Sequence, residues 1–328
     1  MRIRSILSIL SLISVATMVP QPASAQTSVP DYPSGRPIRI LVTFTAGGGA
    51  DTFARYVSDK LSKELKTPVI VDPRPGAGGV IAMGDAAKAK PDGYTLILAS
   101  ATTLLVNPAI LPKLPYDPQK AFAPVIALGR GENILVANPS SPINNIDDLV
   151  AAAKSAPENL QYASFGIGTT GHMCYELIAA AKNVKLQHIP YAGSSAVVMA
   201  LLSGQAKLGV VDTISALTYS ATGKLKVIGV CTEKSDFFPG VQSFKDAGID
   251  FHLNARWVLL APAKTPEEIL DKLYDALDHV ARMPDSLDQW KKFGITYVPV
   301  ARDALTRQLP EDQEAVAKFV KSAGIKPD

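Results

Sequence analysis

The sequence contains little cysteine: Cys174 and Cys231 are the only two in 328 residues. Two cysteines do not form the framework that holds small secreted domains together, and no C-x-x-C pair is present for redox chemistry or for zinc. Cys174 falls in a helical pattern, and Cys231 lies at the end of an apolar strand. We predict two buried free thiols, with pairing in an oxidising compartment as the alternative.

The sequence also lacks a hydrophobic run long enough to span a membrane, and its apolar leader lies at the N-terminus. A basic start at Arg2 and Arg4 precedes the apolar stretch, which ends in the small residues Ala23-Ser24-Ala25. This order is typical of a cleavable secretory signal peptide, which we predict over residues 1–25, with Gln26 as the first mature residue. We therefore expect the protein in a periplasm.

Positive and negative charges are nearly balanced. The whole chain carries a net charge of +3 at pH 7, and without the two leader arginines 31 basic residues balance 30 acidic ones. Binding to nucleic acid or to an anionic membrane surface needs clustered positive charge, so this balance gives no case for either partner. At 328 residues and 47% hydrophobic content, the chain is long enough to form two lobes with sizeable cores.

Motifs of the common enzyme classes are missing as well. The sequence has no G-x-S-x-G elbow of a hydrolase and no H-E-x-x-H zinc motif. His172 and Glu176 lie one helical turn apart, but two groups are too few for a metal site, and we assign His172 to helix capping or to an interlobe hydrogen bond. We predict a protein that is not an enzyme and needs no metal or cofactor. A secreted hydrolase or dehydrogenase is the rival interpretation.

The most informative stretch runs over residues 38–65. A β-branched apolar segment predicts a buried strand over 38–44, and apolar residues at helical spacing predict a helix with Asp51 as its N-cap. Between them lies Gly47-Gly48-Gly49, which has neither the lysine of a phosphate P-loop nor the G-x-G-x-x-G spacing of a dinucleotide site. Free N–H groups at a helix N-terminus bind anions, and glycines allow a close approach, so we interpret this loop as a carboxylate cradle.

A second glycine loop, residues 164–172, follows another predicted strand and contains a literal G-x-G-x-x-G. A nicotinamide site would also need an acidic residue at the end of the next strand, but that strand ends in Ile189-Pro190-Tyr191. We therefore reject the dinucleotide interpretation. The hydroxyl groups of Thr169 and Thr170, with the nearby N–H groups, suit a carboxylate instead.

Strands and helices alternate along most of the chain, which predicts an α/β fold with parallel sheets. The alternation breaks near residues 122–137 and again at 255–260, which we interpret as two crossings between lobes. We predict lobe 1 over residues 26–126 and 254–328, and lobe 2 over residues 127–253. Ligand-facing loops would then lie at the carboxyl ends of strands in both lobes and would close over a small anion.

Several motifs, spread in order over nearly the whole mature chain, carry a resemblance to a known family. They are Tyr32-Pro33, Arg36-Pro37-Ile38-Arg39, Gly47-Gly48-Gly49-Ala50-Asp51, Arg74-Pro75-Gly76-Ala77-Gly78-Gly79, Pro91-Asp92-Gly93-Tyr94-Thr95-Leu96, Pro190-Tyr191-Ala192-Gly193 and Thr265-Pro266. The chain resembles the Bug (TctC-type) extracytoplasmic solute receptors of tripartite tricarboxylate transporters. The resemblance implies a bilobed type II periplasmic binding protein (a Venus flytrap), a carboxylated solute, and delivery to the membrane permease of such a transporter.

The resemblance also implies a set of ligand-binding residues. One loop from each lobe would hold the proximal carboxylate, and neighbouring strand ends would line the rest of the site. The implied positions are Phe44, Ala46, Gly47, Gly48, Gly168, Thr169 and Thr170 for the carboxylate, and Ser100, Thr102, Tyr191 and Asp212 for the rest. From its position after a strand, Asp212 is more simply the N-cap of the following helix.

Three departures from the family pattern bear on the ligand. Thr45-Ala46 stands where prolines usually precede the glycines, and Ala192 stands where lysine or arginine is common, which makes a tricarboxylate a poorer candidate. Phe165 replaces a smaller residue and offers an aromatic wall. An aromatic carboxylate or a medium-length dicarboxylate is at least as good a candidate as a four-carbon acid. We expect a monomer, and whether it serves a transporter or a sensor kinase stays open.

Overall fold

The computed structural model describes residues 32–156, 160–250 and 256–322. The predicted signal peptide and its cleavage site lie outside the described residues. Within the described ranges, no helix combines the length and the apolar character that a membrane span requires.

The described strands form two five-stranded sheets. They are β1 (Ile38–Val42), β2 (Val69–Pro73), β3 (Thr95–Ala99), β4 (Phe122–Arg130), β5 (Asn133–Ala137), β6 (Gln161–Ser164), β7 (Gln187–Pro190), β8 (Leu208–Asp212), β9 (Lys226–Val230) and β10 (Arg256–Pro262). The first sheet has the order β2-β1-β3-β10-β4, and the second has the order β7-β6-β8-β5-β9. Strands β10 and β5 run antiparallel to both of their neighbours, and the other pairs are parallel. The predicted α/β fold is confirmed, with one antiparallel strand inserted into each sheet.

Helices pack around both sheets. They are α1 (Gly49–Leu65), α2 (Val80–Ala87), α3 (Asn107–Ile110), α4 (Ile146–Ser155), α5 (Thr170–Lys182), α6 (Ser194–Leu202), α7 (Thr213–Ser220), α8 (Glu267–Arg282), α9 (Pro284–Lys292) and α10 (Arg302–Ser322). A π-helical turn over Thr102–Val106 leads directly into α3. The helices that follow the glycine loops, α1 and α5, therefore point their N-termini at the same edge of their sheets as the strand ends that precede them.

Each lobe has its own hydrophobic core, because strand and helix patterns bury complementary faces. In lobe 1, Ile38 and Ile40 of β1 are fully buried and belong to one cluster with Phe53 of α1. In lobe 2, Val136 of β5 and Ile178 of α5 are fully buried in a second cluster. Full burial of such a side chain contributes about 1.5–3 kcal/mol relative to exposure, so each sheet is held by its own helices.

Two crossings connect the lobes. Strand β4 pairs with β10 in the first sheet up to Arg130, and β5 pairs in the second sheet from Asn133, so Gly131 and Glu132 form a short first crossing. The chain returns to the first sheet at β10, which begins at Arg256. The predicted boundary after residue 126 falls inside β4. We propose the same division into lobes with the first boundary at this crossing.

Helix α1 begins three residues earlier than an Asp51 N-cap predicts. It starts at Gly49 with Gly48 as its N-cap, so the predicted N-cap, Asp51, lies inside the first turn. There the Asp51 carboxylate accepts hydrogen bonds from the Gly47 N–H (3.0 Å) and from Arg55 Nε (2.9 Å). The prediction of an Asp51 cap is wrong because Gly48 adopts the extended cap conformation without a side chain, while a carboxylate in the first turn still interacts favourably with the helix dipole.

Cys174 and Cys231 form a disulfide, with their Cα atoms 6.0 Å apart. Both residues are buried. The prediction of two free thiols is therefore wrong. Helix α5, which carries Cys174, packs on the second sheet, and Cys231 directly follows β9 of that sheet, so the fold brings together two positions that are 57 residues apart.

Candidate functional site

A cavity of about 80 Å³ lies between the two lobes. It is bordered by the residues that follow β1, β3 and β6, by the end of β8, and by the first turns of α1, α5, α6 and α7. The predicted site residues that line it are Phe44, Gly48, Ser100, Thr102, Phe165, Thr170 and Asp212. Both lobes contribute to this lining, so closing one lobe on the other encloses the cavity.

The first turn of α1 forms one wall. Gly48 and Gly49 line the cavity, and neither carries a side chain that would cover its backbone. The N–H groups of a first helical turn have no partner within the helix, and the helix dipole adds positive potential there. The N–H of Gly47 is already bonded to Asp51, which fixes the loop. This wall is suited to an anion that approaches Gly48.

Asp212 connects the two lobes. Its Oδ1 accepts a hydrogen bond from the Ser215 N–H at 2.9 Å, which makes it the N-cap of α7 as predicted. Its Oδ2 accepts from the Gly49 N–H at 3.3 Å. The N–H of Asp212 donates to Ser194 Oγ at 2.9 Å, which holds the residue in place. A carboxylate of lobe 2 is thus positioned at the N-terminus of α1.

A chain of buried hydroxyl groups crosses the cleft beside this contact. The Thr170 N–H donates to Thr102 Oγ1 at 3.1 Å, and the two threonine hydroxyl oxygens are 3.4 Å apart. Thr170 Oγ1 in turn donates to Asn133 Oδ1 at 3.3 Å. All three residues are buried. These groups are neutral and their hydroxyl hydrogens rotate, so they are able to donate to an anion held between the lobes.

Ser100 lines the cavity and carries a hydroxyl group that the surrounding protein does not use. The residue directly follows β3, lines the cavity, and is 9% exposed. Its hydroxyl has no hydrogen-bond partner among the described residues, whereas its N–H donates to Thr103 Oγ1 at 3.2 Å. An unpaired buried hydroxyl costs about 1–3 kcal/mol. A solute oxygen bound at this position would remove that cost.

Apolar side chains form the remaining walls. Phe44 of lobe 1 and Phe165 of lobe 2 meet edge to face, with ring centroids 5.9 Å apart and planes at 86°. Trp257 of β10, Ile214 of α7 and Phe293, which follows α9, also line the cavity. Such surfaces bind the apolar part of a small ligand.

The cavity has little free positive charge. Among its described lining residues Arg256 is the single cationic side chain, and its Nη1 donates to Gln308 at 2.8 Å and lies 3.7 Å from an Asp312 oxygen. Burial raises the pKa of the Glu132 carboxyl above its ordinary value, although the Ser235 hydroxyl donates a hydrogen bond to it. Binding of an anion here therefore relies on N–H and O–H donors.

Two predicted residues of the second glycine loop hold that loop together and do not line the cavity. Thr169 is the N-cap of α5: its hydroxyl accepts from the His172 N–H at 3.3 Å and donates to the Gly166 carbonyl at 2.7 Å. The Gly168 N–H donates to His172 Nδ1 at 3.2 Å. His172 thus stabilises the conformation of the loop at the start of α5. No group of three or more metal-ligating side chains occurs within the described ranges.

The other three predicted residues also lie outside this cavity. Ala46 and Gly47 belong to the first glycine loop but are not part of the cavity lining. Tyr191 lines a second cavity of about 290 Å³, which shares Phe44 and Phe165 with the first one. The edge-to-face phenylalanine pair therefore lies at the border between the two cavities.

Several lining residues were missed by the sequence analysis. Glu132 and Asn133 lie at the crossing from β4 to β5, and their position at a crossing was the available signal, because crossings border the cleft. Ser194 lies at the start of α6, where helix capping is the ordinary role of a serine. Phe293 follows a helix late in the chain, and no pattern in the sequence relates it to the glycine loops.

Two α/β lobes that touch across a buried cavity, with helix N-termini and hydroxyl groups directed at it, define a bilobed solute-binding protein, and the fold is that of periplasmic binding proteins. A family profile described as "Tripartite tricarboxylate transporter family receptor" matches residues 53–325. The chain belongs to this family, which confirms the resemblance found in the sequence.

Individual relatives are similar to this chain over most of its length. A UPF0065 protein of Bordetella bronchiseptica is 33% identical over 321 residues, covering 97% of this chain and 93% of that protein. The structure of R. palustris Rpa4515 with adipate is similar with a TM-score of 0.84 and 27% identity, covering 91% of this chain and 100% of that chain. MatC from Rhodopseudomonas palustris with bound malate has a TM-score of 0.82 and 28% identity, covering 88% and 100%.

Proposed function

We propose that this protein captures a small carboxylate in the cavity between its lobes and delivers it to the membrane permease of a tripartite tricarboxylate-type transporter. The observation that carries the proposal is the buried Ser100 hydroxyl without a partner, in a cavity that also contains the first turn of α1 and the Thr102–Thr170 pair. Membership of the receptor family supports the transport role. The adipate and malate bound by similar proteins support a carboxylate as the solute.

The bound solute anion would accept hydrogen bonds from both lobes at once. Gly48 offers an N–H group from lobe 1, whereas the Gly49 N–H is already bonded to Asp212, and Ser100 and Thr102 offer hydroxyl groups from the same lobe. Thr170 offers a hydroxyl group from lobe 2. Charge-assisted hydrogen bonds to these donors are roughly twice as strong as neutral ones, and exclusion of water by closure strengthens them further. The ligand stabilises the closed form to the extent that it binds that form more tightly than the open one.

No covalent step is part of this proposal. Ser194, a hydroxyl group in the cavity lining, accepts a hydrogen bond from the backbone of Asp212, and Asp212 caps α7 while it contacts Gly49. These side chains hold the lobes and the helix starts in place. Specificity would then come from pre-positioned donors and from the shape of the closed cavity.

We also propose that the protein works in a periplasm, as a monomer, after removal of residues 1–25. The leader pattern and the family support the location. Amino-terminal sequencing of the exported protein should begin close to Gln26. A mature protein that keeps its leader would contradict this part of the proposal.

A thermal-shift panel of carboxylates tests the binding function. Malate, succinate, adipate, citrate and benzoate would each be compared with the corresponding neutral amide. A solute at 100 times its dissociation constant adds about 2.7 kcal/mol to the free energy of unfolding. We expect at least one carboxylate to raise the unfolding midpoint while its amide does not. The absence of any shift, together with turnover of an ester or a nicotinamide cofactor, would favour the rival enzyme.

A further inference from the structure

The apolar wall of the cavity is built on the same helix as its anion-binding turn. Trp257 packs against Phe53 of α1, with ring centroids 6.1 Å apart, and Phe293 packs edge to face on Tyr56 of α1 at 5.7 Å. Phe53 and Tyr56 lie four and seven positions after Gly49, which corresponds to roughly 6 and 10 Å along a helix axis. The wall therefore begins about one phenyl ring or one short alkyl chain away from the first turn.

The position of this wall is fixed by contacts with lobe 2. Phe293 precedes Gly294, and a Cβ atom at Gly294 would lie 2.4 Å from Thr213 Cγ2, so the backbone there packs directly on the start of α7. Ile214 follows Thr213 and faces the same cavity. The apolar wall thus belongs to the closed form and does not need to move to receive a ligand.

A second carboxylate on the solute would find no cation at this wall. Arg256, the single cationic side chain in the described lining of both cavities, is engaged by Gln308 and Asp312. A buried carboxylate without a cation or a full set of donors is strongly disfavoured.

We propose that the solute is a monocarboxylate with an apolar body, aromatic or aliphatic, and that dicarboxylates of the same length bind less tightly. This inference rests on the proposed function and specifies its substrate class. The carboxylate would bind at Gly48 and Ser100. The body would lie against Trp257 and Phe293.

Matched pairs of solutes test this inference on the unmodified mature protein. Hexanoate and adipate each have six carbons, and 4-methylbenzoate and terephthalate each have eight. Within each pair, the two solutes differ by one carboxylate. We expect titration calorimetry to give each monocarboxylate at least a tenfold lower dissociation constant than its dicarboxylate partner. The reverse order in both pairs would overturn the inference and leave the proposed function intact. Binding of none of the four would overturn this inference, and the wider carboxylate panel would then decide the proposed function separately.

A variant tests whether Phe293 contacts the body of the solute. Phe293→Leu should raise the dissociation constant for 4-methylbenzoate about three- to tenfold and change that for hexanoate less. Phe122→Leu is the matched control, because Phe122 is also half-buried and also packs edge to face on a tyrosine, Tyr116, at 5.6 Å, but lies outside the cavity. Equal effects of the two variants on 4-methylbenzoate would overturn the placement of the body against Phe293.

Discussion

The backbone N–H of Gly49 donates a hydrogen bond to Oδ2 of Asp212 at 3.3 Å, and this contact joins the N-terminus of α1 in lobe 1 to the start of α7 in lobe 2. A second interlobe contact is made by Thr45, whose hydroxyl donates to the Ala192 carbonyl at 2.8 Å. A Cβ atom on Gly193 would lie 2.6 Å from Thr45 Oγ1. Closure of the lobes therefore depends on glycines that let the two backbones come together.

Replacing Gly49 with alanine should weaken solute binding without lowering stability. The new Cβ atom would lie 2.5 Å from Ile214 Cγ2 and 2.8 Å from Asp212 Cγ, so it would hold the lobes apart. Alanine favours a helix over glycine by up to about 1 kcal/mol, so the free energy of unfolding of the solute-free protein should stay equal or rise. We expect titration calorimetry with the carboxylate found in the panel to show at least a tenfold loss of affinity.

Gly84→Ala is the matched control for this prediction. Gly84 also lies in a helix, α2, but a Cβ atom there would meet only the Pro115 ring at 3.4 Å, and the residue is outside both cavities. Its affinity for the solute should be that of the unmodified protein. Unchanged affinity of Gly49→Ala would show that closure does not need the close approach at Gly49.

Removing the Ser100 hydroxyl should lower affinity and leave stability unchanged or slightly higher. The hydroxyl is buried without a partner among the described residues, so Ser100→Ala removes a polar group that folding leaves unpaired. A hydrogen bond to a charged group contributes about 1.5–3 kcal/mol, which corresponds to roughly a 10- to 100-fold loss of affinity. Calorimetry and urea unfolding measure the two effects separately.

Ser58→Ala should show the opposite pattern. Ser58 is also buried, but its hydroxyl donates to the Val69 carbonyl at 2.6 Å, and the residue is not part of the cavity lining. We expect this control to lose about 1 kcal/mol of stability and to keep its affinity. A stability loss in Ser100→Ala as large as that of the control would mean that the Ser100 hydroxyl has a structural partner.

Thr170→Val should weaken binding while the protein still folds. The hydroxyl of Thr170 donates to Asn133 and lies 3.4 Å from the Thr102 hydroxyl, so its loss breaks the polar connection across the cleft. The two side chains have nearly the same shape, and helix α5 keeps its Thr169 cap. Circular dichroism should show an intact fold, and calorimetry should show a loss of affinity. Unchanged affinity would remove Thr170 from the site.

Glu132→Gln should make the free energy of unfolding less sensitive to rising pH. Burial raises the pKa of Glu132 in the folded state, so between the unfolded-state and folded-state pKa values the folded protein binds more protons than the unfolded chain. The free energy of unfolding of the unmodified protein therefore falls as the pH rises through this range. The free energy of unfolding of the variant minus that of the unmodified protein should therefore be larger at about pH 7 than at about pH 4.

Urea unfolding at the two pH values measures this difference. Glu311→Gln on α10 is the control, because Glu311 is exposed and lies outside the cavity. It should follow the unmodified protein at both pH values. If the difference in free energy of unfolding between Glu132→Gln and the unmodified protein is the same at both pH values, the pKa of Glu132 is not raised in the folded state.

Reduction of the disulfide should destabilise the protein without abolishing binding. The bond between Cys174 and Cys231 closes a loop of 57 residues, for which the chain-entropy model gives roughly 4 kcal/mol, and measured effects are commonly about 2–4 kcal/mol. We expect dithiothreitol, or the double variant Cys174→Ala with Cys231→Ala, to lower the free energy of unfolding by this amount. Two reactive thiols in the untreated, denatured protein would contradict the disulfide.

Local patterns accounted for most of the elements. The apolar segment before Gly47 formed β1, and the helical spacing after the glycines formed α1, because both depend on which side of a short segment is buried. The N-cap of α1 was misplaced by three residues because glycine and aspartate both serve as N-caps, and the choice between them depends on how the loop is held. The Asp51 side chain bonds to Gly47 and Arg55 instead.

The cavity was only partly predictable. Asp212 and Ser100 follow from their positions at strand ends, where α/β sheets bind ligands. Thr169 has the right residue type and spacing, yet its hydroxyl is used within its own loop by His172 and Gly166. Which of two adjacent threonines faces a cavity depends on the orientation of the helix, and that orientation is set by packing.

The sequence by itself determined the α/β alternation, the two glycine loops at strand ends and the receptor family, because these are properties of short segments and of their order along the chain. Only the tertiary structure decided that Cys174 pairs with Cys231, that the Ser100 hydroxyl has no partner among the described residues, and that Asp212 reaches Gly49. The two contacts join positions 57 and 163 residues apart. The disulfide forms when α5 packs on its own sheet, and the Asp212–Gly49 contact forms only when the two lobes close on each other, so no local pattern records either contact.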